Sequence, residues 1–229
     1  MEEIVVESLE TLVSECIADP SLRTHIYRGV SDVQYKLIPS IGRELGRRNR
    51  TLKELLHSER QALTRFSERL FSFHPHRTNS TLELLVLAQH HGLPTRLLDW
   101  STNPFVATFF ATRDETRHTD GAIYMCPALQ EANSSTSDFD PFEVSQDRLV
   151  VPPHVNARIP AQHSVFILHA NPIGEFEHPK LKRFVIPARR RSSIKRELSL
   201  LGTSAATVFP GLDGIAESIR FNMFRWLPS

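Results

Sequence analysis

The chain has 229 residues, with 27 Lys or Arg against 26 Asp or Glu and a formal net charge of +1. That length can build an ordinary hydrophobic core as one domain over residues 1–229, and the near-balance of charge gives no argument of its own for a polyanionic partner. Cys16 and Cys126 exclude a disulfide framework, neither belongs to a CxxC pattern, and an acidic start without a basic and apolar leader points to a reducing, cytoplasmic setting. No stretch approaches about 18 uninterrupted apolar residues, so no membrane span is expected.

Ser8 to Ala18 sets Leu9, Leu12, Val13, Cys16 and Ile17 on one face of an opening amphipathic helix. His25 to Val30 reads as a short strand that carries Tyr27 and Arg28 to a turn at Gly29, and the polar run Ser31 to Gly46 reads as a loop. Leu52, Leu55, Leu56, Leu63, Phe66, Leu70 and Phe73 recur at helical spacing until Pro75. Ser80 and Glu83 form a capping box for a helix over Leu82 to His91, which Gly92 ends. Thr95 to Ser101 is extended, and Asn103 followed by Pro104 supplies the N-cap and first-turn proline of a helix through Thr112.

Ala122 to Leu129 is strand-like, whereas Gln130 to Asp140 reads as a polar loop or mobile lid. Ser164 to Ala170 and Arg183 to Ala188 are further strands. Ser193 to Leu201 is helical, and Leu212 to Phe224 forms a last helix with Ile215, Ile219 and Met223 inward. Helices come early and late with most strands between them, which predicts an α+β fold, not alternating βαβ units.

The run from Ala88 to Ala111, AQHHGLPTRLLDWSTNPFVATFFA, crowds Gln89, His90, His91, Arg96, Asp99 and Trp100 between apolar stretches and marks a site. Phosphate-loop, dinucleotide, HExxH and GxSxG motifs are absent. His90 and His91 are adjacent and diverge by about 100° on a helix, and His74 and His76 lack a nearby Cys or acid, so no metal site is expected.

Arg28 suits bidentate grasp of a phosphate or carboxylate, or else an ion pair with an acid such as Asp99. Asp99 and Trp100 precede a helix N-terminus where an anionic group is favoured. Alternatively Asp99 pairs with Arg96 or caps that helix, and Trp100 fills the core. His90 and His163 are candidate acid/base residues on the acceptor side, or hydrogen-bonded structural ones.

Charge is unevenly spread. Lys180 to Arg196 holds eight Lys or Arg and no acid, whereas the first twenty residues carry Glu2, Glu3, Glu7, Glu10, Glu15 and Asp19 and no base. Arg189, Arg190 and Arg191 read as a phosphate-neutralising footprint for nucleic acid, or as a solvated face that the acidic N-terminus masks.

Tyr27-Arg28-Gly29, the Ala88–Ala111 run, Ala157-Arg158-Ile159-Pro160-Ala161-Gln162 before Ser164-Val165-Phe166, and Leu201-Gly202 with Val208-Phe209-Pro210-Gly211-Leu212-Asp213-Gly214 together resemble the FRG-domain family. The resemblance spans a motif-bearing core of about residues 22–222, and its layout is similar to that of mono-ADP-ribosyltransferases. It implies a mixed central β-sheet flanked by N-terminal and C-terminal helices, and an enzyme that uses NAD as co-substrate without a metal.

Carried over, that pattern places Arg28 first, Trp100-Ser101-Thr102 second and Gln162 third, where the usual residue is a catalytic Glu. It implies Tyr27, Arg28, Gly29, Arg96, Trp100, Ser101 and Thr102 at NAD, with Trp100 stacked on nicotinamide. Arg28, Ser101 and Gln162 join Asp99 in catalysis, with Asp99 or Glu175 the source of the anion that Gln162 lacks. The function implied is a toxin or defence effector that transfers ADP-ribose to RNA or DNA ahead of protein, restrained by an antitoxin or chaperone. The alternatives are a non-catalytic nucleotide-binding module and an NAD glycohydrolase.

Overall fold

The computed structural model describes residues 1–18, 25–46, 51–70, 80–114, 118–132, 139–153 and 157–224. Phe73, His74 and His76 lie outside them. The strands are β1 (Glu2–Val5), β2 (His25–Val30), β3 (Leu97–Ser101), β4 (Gly121–Pro127), β5 (Arg148–Val150), β6 (Ser164–Leu168) and β7 (Lys182–Ile186). They form one mixed sheet in the order β1-β7-β4-β2-β3-β6-β5, in which only β1 and β7 run parallel.

The helices among the described residues are α1 (Leu9–Ala18), α2 (Ser40–Gly46), α3 (Leu52–Leu70), α4 (Thr81–His90), α5 (Pro104–Thr112), α6 (Arg158–Ala161), α7 (Arg191–Leu200), α8 (Ala205–Val208) and α9 (Leu212–Phe224). The architecture is the expected α+β class. The local caps form as the residue types require: Ser80 accepts from Glu83 N, and Asn103 accepts from Phe105 N ahead of Pro104.

Strand alternation sorts the sheet into two faces. On one face, Tyr27, Ile123, Met125, Phe184 and Ile186 pack under α1, α5, α7 and α8. On the same face across the sheet, Leu97, Phe166, Leu168 and Val150 pack under α3, α4 and α6. The opposite face carries Ile26, Leu98, Trp100, Tyr124, Val165 and Ile167, covered by Leu37, Phe176 and Leu181 from irregular segments.

The boundary between the two helical groups falls over β2 and β3. Those strands share a single register pair, Tyr27 with Ser101, whereas β2 and β4 share six. The sheet therefore has a seam, and the helices above it separate at the same place.

Several expectations are corrected. The 31–46 segment contains α2, whose start is tied down by Ser40 Oγ and Thr95. Gly29 lies inside β2 opposite Ile123, not in a turn. A Cβ there would meet the Ala107 carbonyl oxygen at 1.8 Å, so glycine is what lets α5 lie against the strand. Gln130 and Ala132, at the start of the expected loop or lid, are hydrogen-bonded to Leu149 in β5, while its residues 133–138 lie outside the described residues.

Ile17 on α1 is exposed, as are Ile215, Ile219 and Met223 on α9. In α9 the buried position is Gly214, where a Cβ would meet Phe209 O at 2.0 Å. That close approach to the chain leaving α8 fixes the helix rotation and turns the apolar stripe outward.

Candidate functional site

A cleft of about 340 Å³ opens above the seam, within the size range of small-molecule sites. Its floor is the helix-covered face of the sheet: Tyr27 and Gly29 from β2, Asp99 and Ser101 from β3, and Ser164 and Phe166 from β6. Val86, Gln89 and His90 of α4 form one wall, and Val106, Ala107 and Phe110 of α5 the other. Trp100, Arg113, Arg158, Ile159, Gln162 and Phe209 complete the lining with Arg28.

Arg28 fills the seam. A continuing ladder would set Gly29 opposite Asp99. Instead the Arg28 Nη1 donates to the main-chain oxygen of Asp99 and lies 3.7 Å from its Oδ2. Burial pushes the Arg28 guanidinium down from its ordinary value while Asp99 pulls it back up, and an arginine keeps its proton throughout. Asp99 is open to solvent, with 67% of its side chain exposed against 16% for Arg28. Among the described residues that line the cleft it is the only carboxylate, and its Oδ1 accepts from Gln89 Nε2 at 2.8 Å.

Ser101 and Gln162 are brought together, but their polar groups bind the protein itself. Ser101 Oγ donates to Gln162 O at 2.7 Å and accepts from Asn103 N at 3.0 Å. Gln162 Nε2 donates to Val208 O at 3.1 Å. They staple the end of β3 to α6 and α8. Thr102 N donates to His163 O at 3.0 Å, and His163 itself is exposed with a positive φ of 47°.

Tyr27 is 2% exposed and forms part of the core beneath α5. Trp100 is 3% exposed, its ring edge-on to Phe176 at 5.6 Å in the core of the opposite face. It borders the cleft, but its ring packs in that core.

Arg96 is also corrected. Its side chain is wholly buried, with Nε and Nη2 bound to Glu59 Oε2 at 2.9 and 2.8 Å and its main-chain N to Glu59 Oε1. Nη1 reaches Pro141 O, and the guanidinium lies over Phe142. No face of it is left for a ligand. Glu59 was missed because its partner lies 37 residues away; the available signal is an acid set between Leu55 and Leu63 on the buried stripe of α3.

Arg191 is likewise an internal residue, 1% exposed, with Nη1 on Thr119 O and Nη2 on Ala111 O. It cannot contact an acceptor. Arg189 and Arg190 both pair with Glu7, while Arg183 pairs with Glu3 and Lys182 with Glu2. Four members of the basic run are thus paired with acids of the N-terminus. Glu175 accepts from Leu37 N and stands outside the cleft lining.

His90 does line the cleft, and burial, with His91 and Arg158 adding to it, holds its imidazole below the usual range. The neutral ring can accept a proton. Cys126 offers no nucleophile, since burial pushes its thiol up to about 12.

In the sequence Arg158 and Phe209 stand out only as members of the FRG-like motifs, and Arg113 not at all. The two guanidinium groups lie over the Phe209 ring, at 4.4 and 5.7 Å from its centroid, and Phe110 meets the same ring edge-on. Glu217 of α9 binds Arg113 through Nε and Nη2. The cleft therefore joins three arginines and aromatic walls to one exposed carboxylate.

Residues 23–120 match the family model described as the FRG domain. That span contains β2, α4, β3 and α5, hence Arg28, Gln89 and Asp99. No curated protein and no solved structure matches the chain.

Proposed function

For a chain that carries an FRG domain across residues 23–120, we propose an NAD-dependent ADP-ribosyltransferase-like activity centred on the seam cleft. The observation that carries it is the exposed Asp99 carboxylate held beside the Arg28 guanidinium at the cleft floor. Cleavage of the nicotinamide N-glycosidic bond builds positive charge on the ribose, and an anion fixed nearby stabilises that charge. Asp99 takes this role in place of Gln162, which is neutral and tied to Val208. Arg28 meets the pyrophosphate.

The acceptor nucleophile attacks the anomeric carbon, nicotinamide leaves with the bonding electron pair, and the acceptor proton passes to neutral His90. Arg113 and Arg158 around Phe209 suit a phosphate-bearing acceptor, so nucleic acid stands ahead of protein. Such an effector works in the cytoplasm, where NAD is supplied, under the restraint of an antitoxin or chaperone.

Purified protein incubated with labelled NAD and separate RNA, DNA and protein pools tests this. Transfer of label with release of nicotinamide is expected, with Arg28→Ala weakening NAD binding by about 10- to 100-fold, the loss expected for a charge-assisted hydrogen bond. Absence of label and nicotinamide, with wild type and Arg28→Ala alike, rejects the enzyme. NAD binding without turnover supports a second reading, a nucleotide-binding module, which the tethered Gln162 side chain favours.

A further inference from the structure

We infer that Gln89 and Thr95 form a directional relay that positions the Asp99 carboxylate and keeps it from closing onto Arg28. This rests on the functional reading above for its consequence in turnover, while the relay itself stands on hydrogen-bond geometry. Its direction is set by the carboxylate, which only accepts. The Gln89 amide therefore presents Nε2 to Asp99 Oδ1 at 2.8 Å, which turns Oε1 to Thr95 and makes the Thr95 hydroxyl the donor. Thr95 Oγ1 in turn accepts from Leu97 N at 3.2 Å, so the relay is rooted in the main chain.

Thr95 is fully buried and cannot turn to water. Its main chain is held as well, since Ser40 Oγ accepts from Thr95 N at 3.1 Å and Ile41 N donates to Thr95 O at 3.2 Å. The relay is therefore anchored to α2 and the start of β3, and only its last member reaches the cleft.

The carboxylate's position shows the effect. Nη1 of Arg28 is only 3.7 Å from Asp99 Oδ2, beyond the roughly 2.7–2.9 Å of a charge-assisted bond. That guanidinium nitrogen is engaged by the Asp99 main-chain oxygen, and Gln89 holds the other carboxylate oxygen. A neutral amide orients the carboxylate without cancelling its charge. Without it, Asp99 is released to make a close pair with Arg28, which withdraws both charges from a bound substrate. Gln89 is thus a positioning residue and Asp99 the group that faces the reacting centre.

Two measurements test this. The first needs no turnover: in protein labelled with ¹⁵N at glutamine side chains, the Gln89 amide protons exchange slowly with solvent in wild type and Thr95→Ser. They exchange at least about tenfold faster in Thr95→Val and Asp99→Ala, a loss comparable to one hydrogen bond. Fast exchange in the wild type overturns the relay, whatever NAD does.

The second is nicotinamide release. Gln89→Met lowers kcat by about 10- to 100-fold with KM for NAD within about twofold. Thr95→Val follows it, Thr95→Ser retains wild-type turnover, and Gln89→Met adds nothing to Asp99→Asn. Losses that multiply with those of Asp99→Asn, or wild-type kcat in Gln89→Met, overturn the positioning role. Slow exchange in a wild type that neither binds NAD nor releases nicotinamide upholds the relay and rejects the functional reading alone.

Discussion

The seam between β2 and β3 and the buried junction of α3 with β3 each hold an arginine beside a carboxylate, three residues apart on the same strand segment at Arg96 and Asp99. At the junction the pair is closed: Arg96 and Glu59 are 0% and 2% exposed and meet through two guanidinium nitrogens. At the seam the pair is held open, at 3.7 Å, with its carboxylate facing a cleft. Closed pairing spends the charge on holding a helix to the sheet. Open pairing leaves it directed at whatever enters.

The largest difference between the two should appear in stability. Glu59→Ala leaves the Arg96 charge buried without its partner, a loss of about 3–5 kcal/mol, or a fall in Tm of roughly 6–20 °C for a chain of this size. Asp99→Ala removes an exposed carboxylate and leaves Arg28 with less than about 1 kcal/mol to lose. Thermal or urea unfolding of the two variants checks the contrast. Equal losses would mean that the seam pair is structural too, and would remove the reason to read it as a site.

This contrast also marks what the sequence discloses. Arg28 and Asp99 stand out because a charge among the apolar residues of a strand has few structural uses, and β2, α4 and α5 are legible from alternation, period and caps. Arg96 has the same local appearance as Arg28. Only the position of Glu59, brought by α3 from 37 residues away, separates them.

Short elements fail for a related reason. The residues of β5, α6 and α8 number three, four and four, too few to show a period. The charged β1 strand is held by pairing with β7 and by ion pairs across to it, neither of which composition displays. On α9 the periodicity is present but its phase is set by Gly214, a residue with no side chain to signal burial. The relay from Thr95 through Gln89 is invisible for the opposite reason: its residues are ordinary, and only their juxtaposition is informative.

A second difference concerns pH. His169, which lies just beyond β6, is 2% exposed. Burial lowers it from 6.5 to about 4, Asp147 opposes the shift, and Arg28 and Arg96 add to it. The unfolded chain therefore takes up the proton first as pH falls, so stability is full above about pH 6.5 and declines through the window from 6.5 towards 4. His169→Gln is expected to flatten the slope of unfolding free energy against pH in that window by up to about one proton. An unchanged slope would show that His169 takes up its proton over the same pH range in the folded chain as in the unfolded one.

The smallest effect is expected at the third arginine-rich region, the β1/β7 edge. Arg189 and Arg190 share Glu7 in pairs that remain open to solvent, so Arg189→Ala with Arg190→Ala should change stability by less than about 1 kcal/mol. If the cleft is where an acceptor binds, the same double variant leaves the salt dependence of RNA or DNA binding as it is, whereas Arg113→Ala with Arg158→Ala flattens it. A slope that falls by about 0.9 per arginine on removing Arg189 and Arg190 would place phosphates at the edge instead. Glu7→Ala separates a masked surface from an idle one, because unmasking raises affinity at low salt only where phosphates reach those two side chains. The edge would then resemble the seam in setting arginine beside a carboxylate, with two arginines in place of one and the carboxylate supplied by the N-terminal segment.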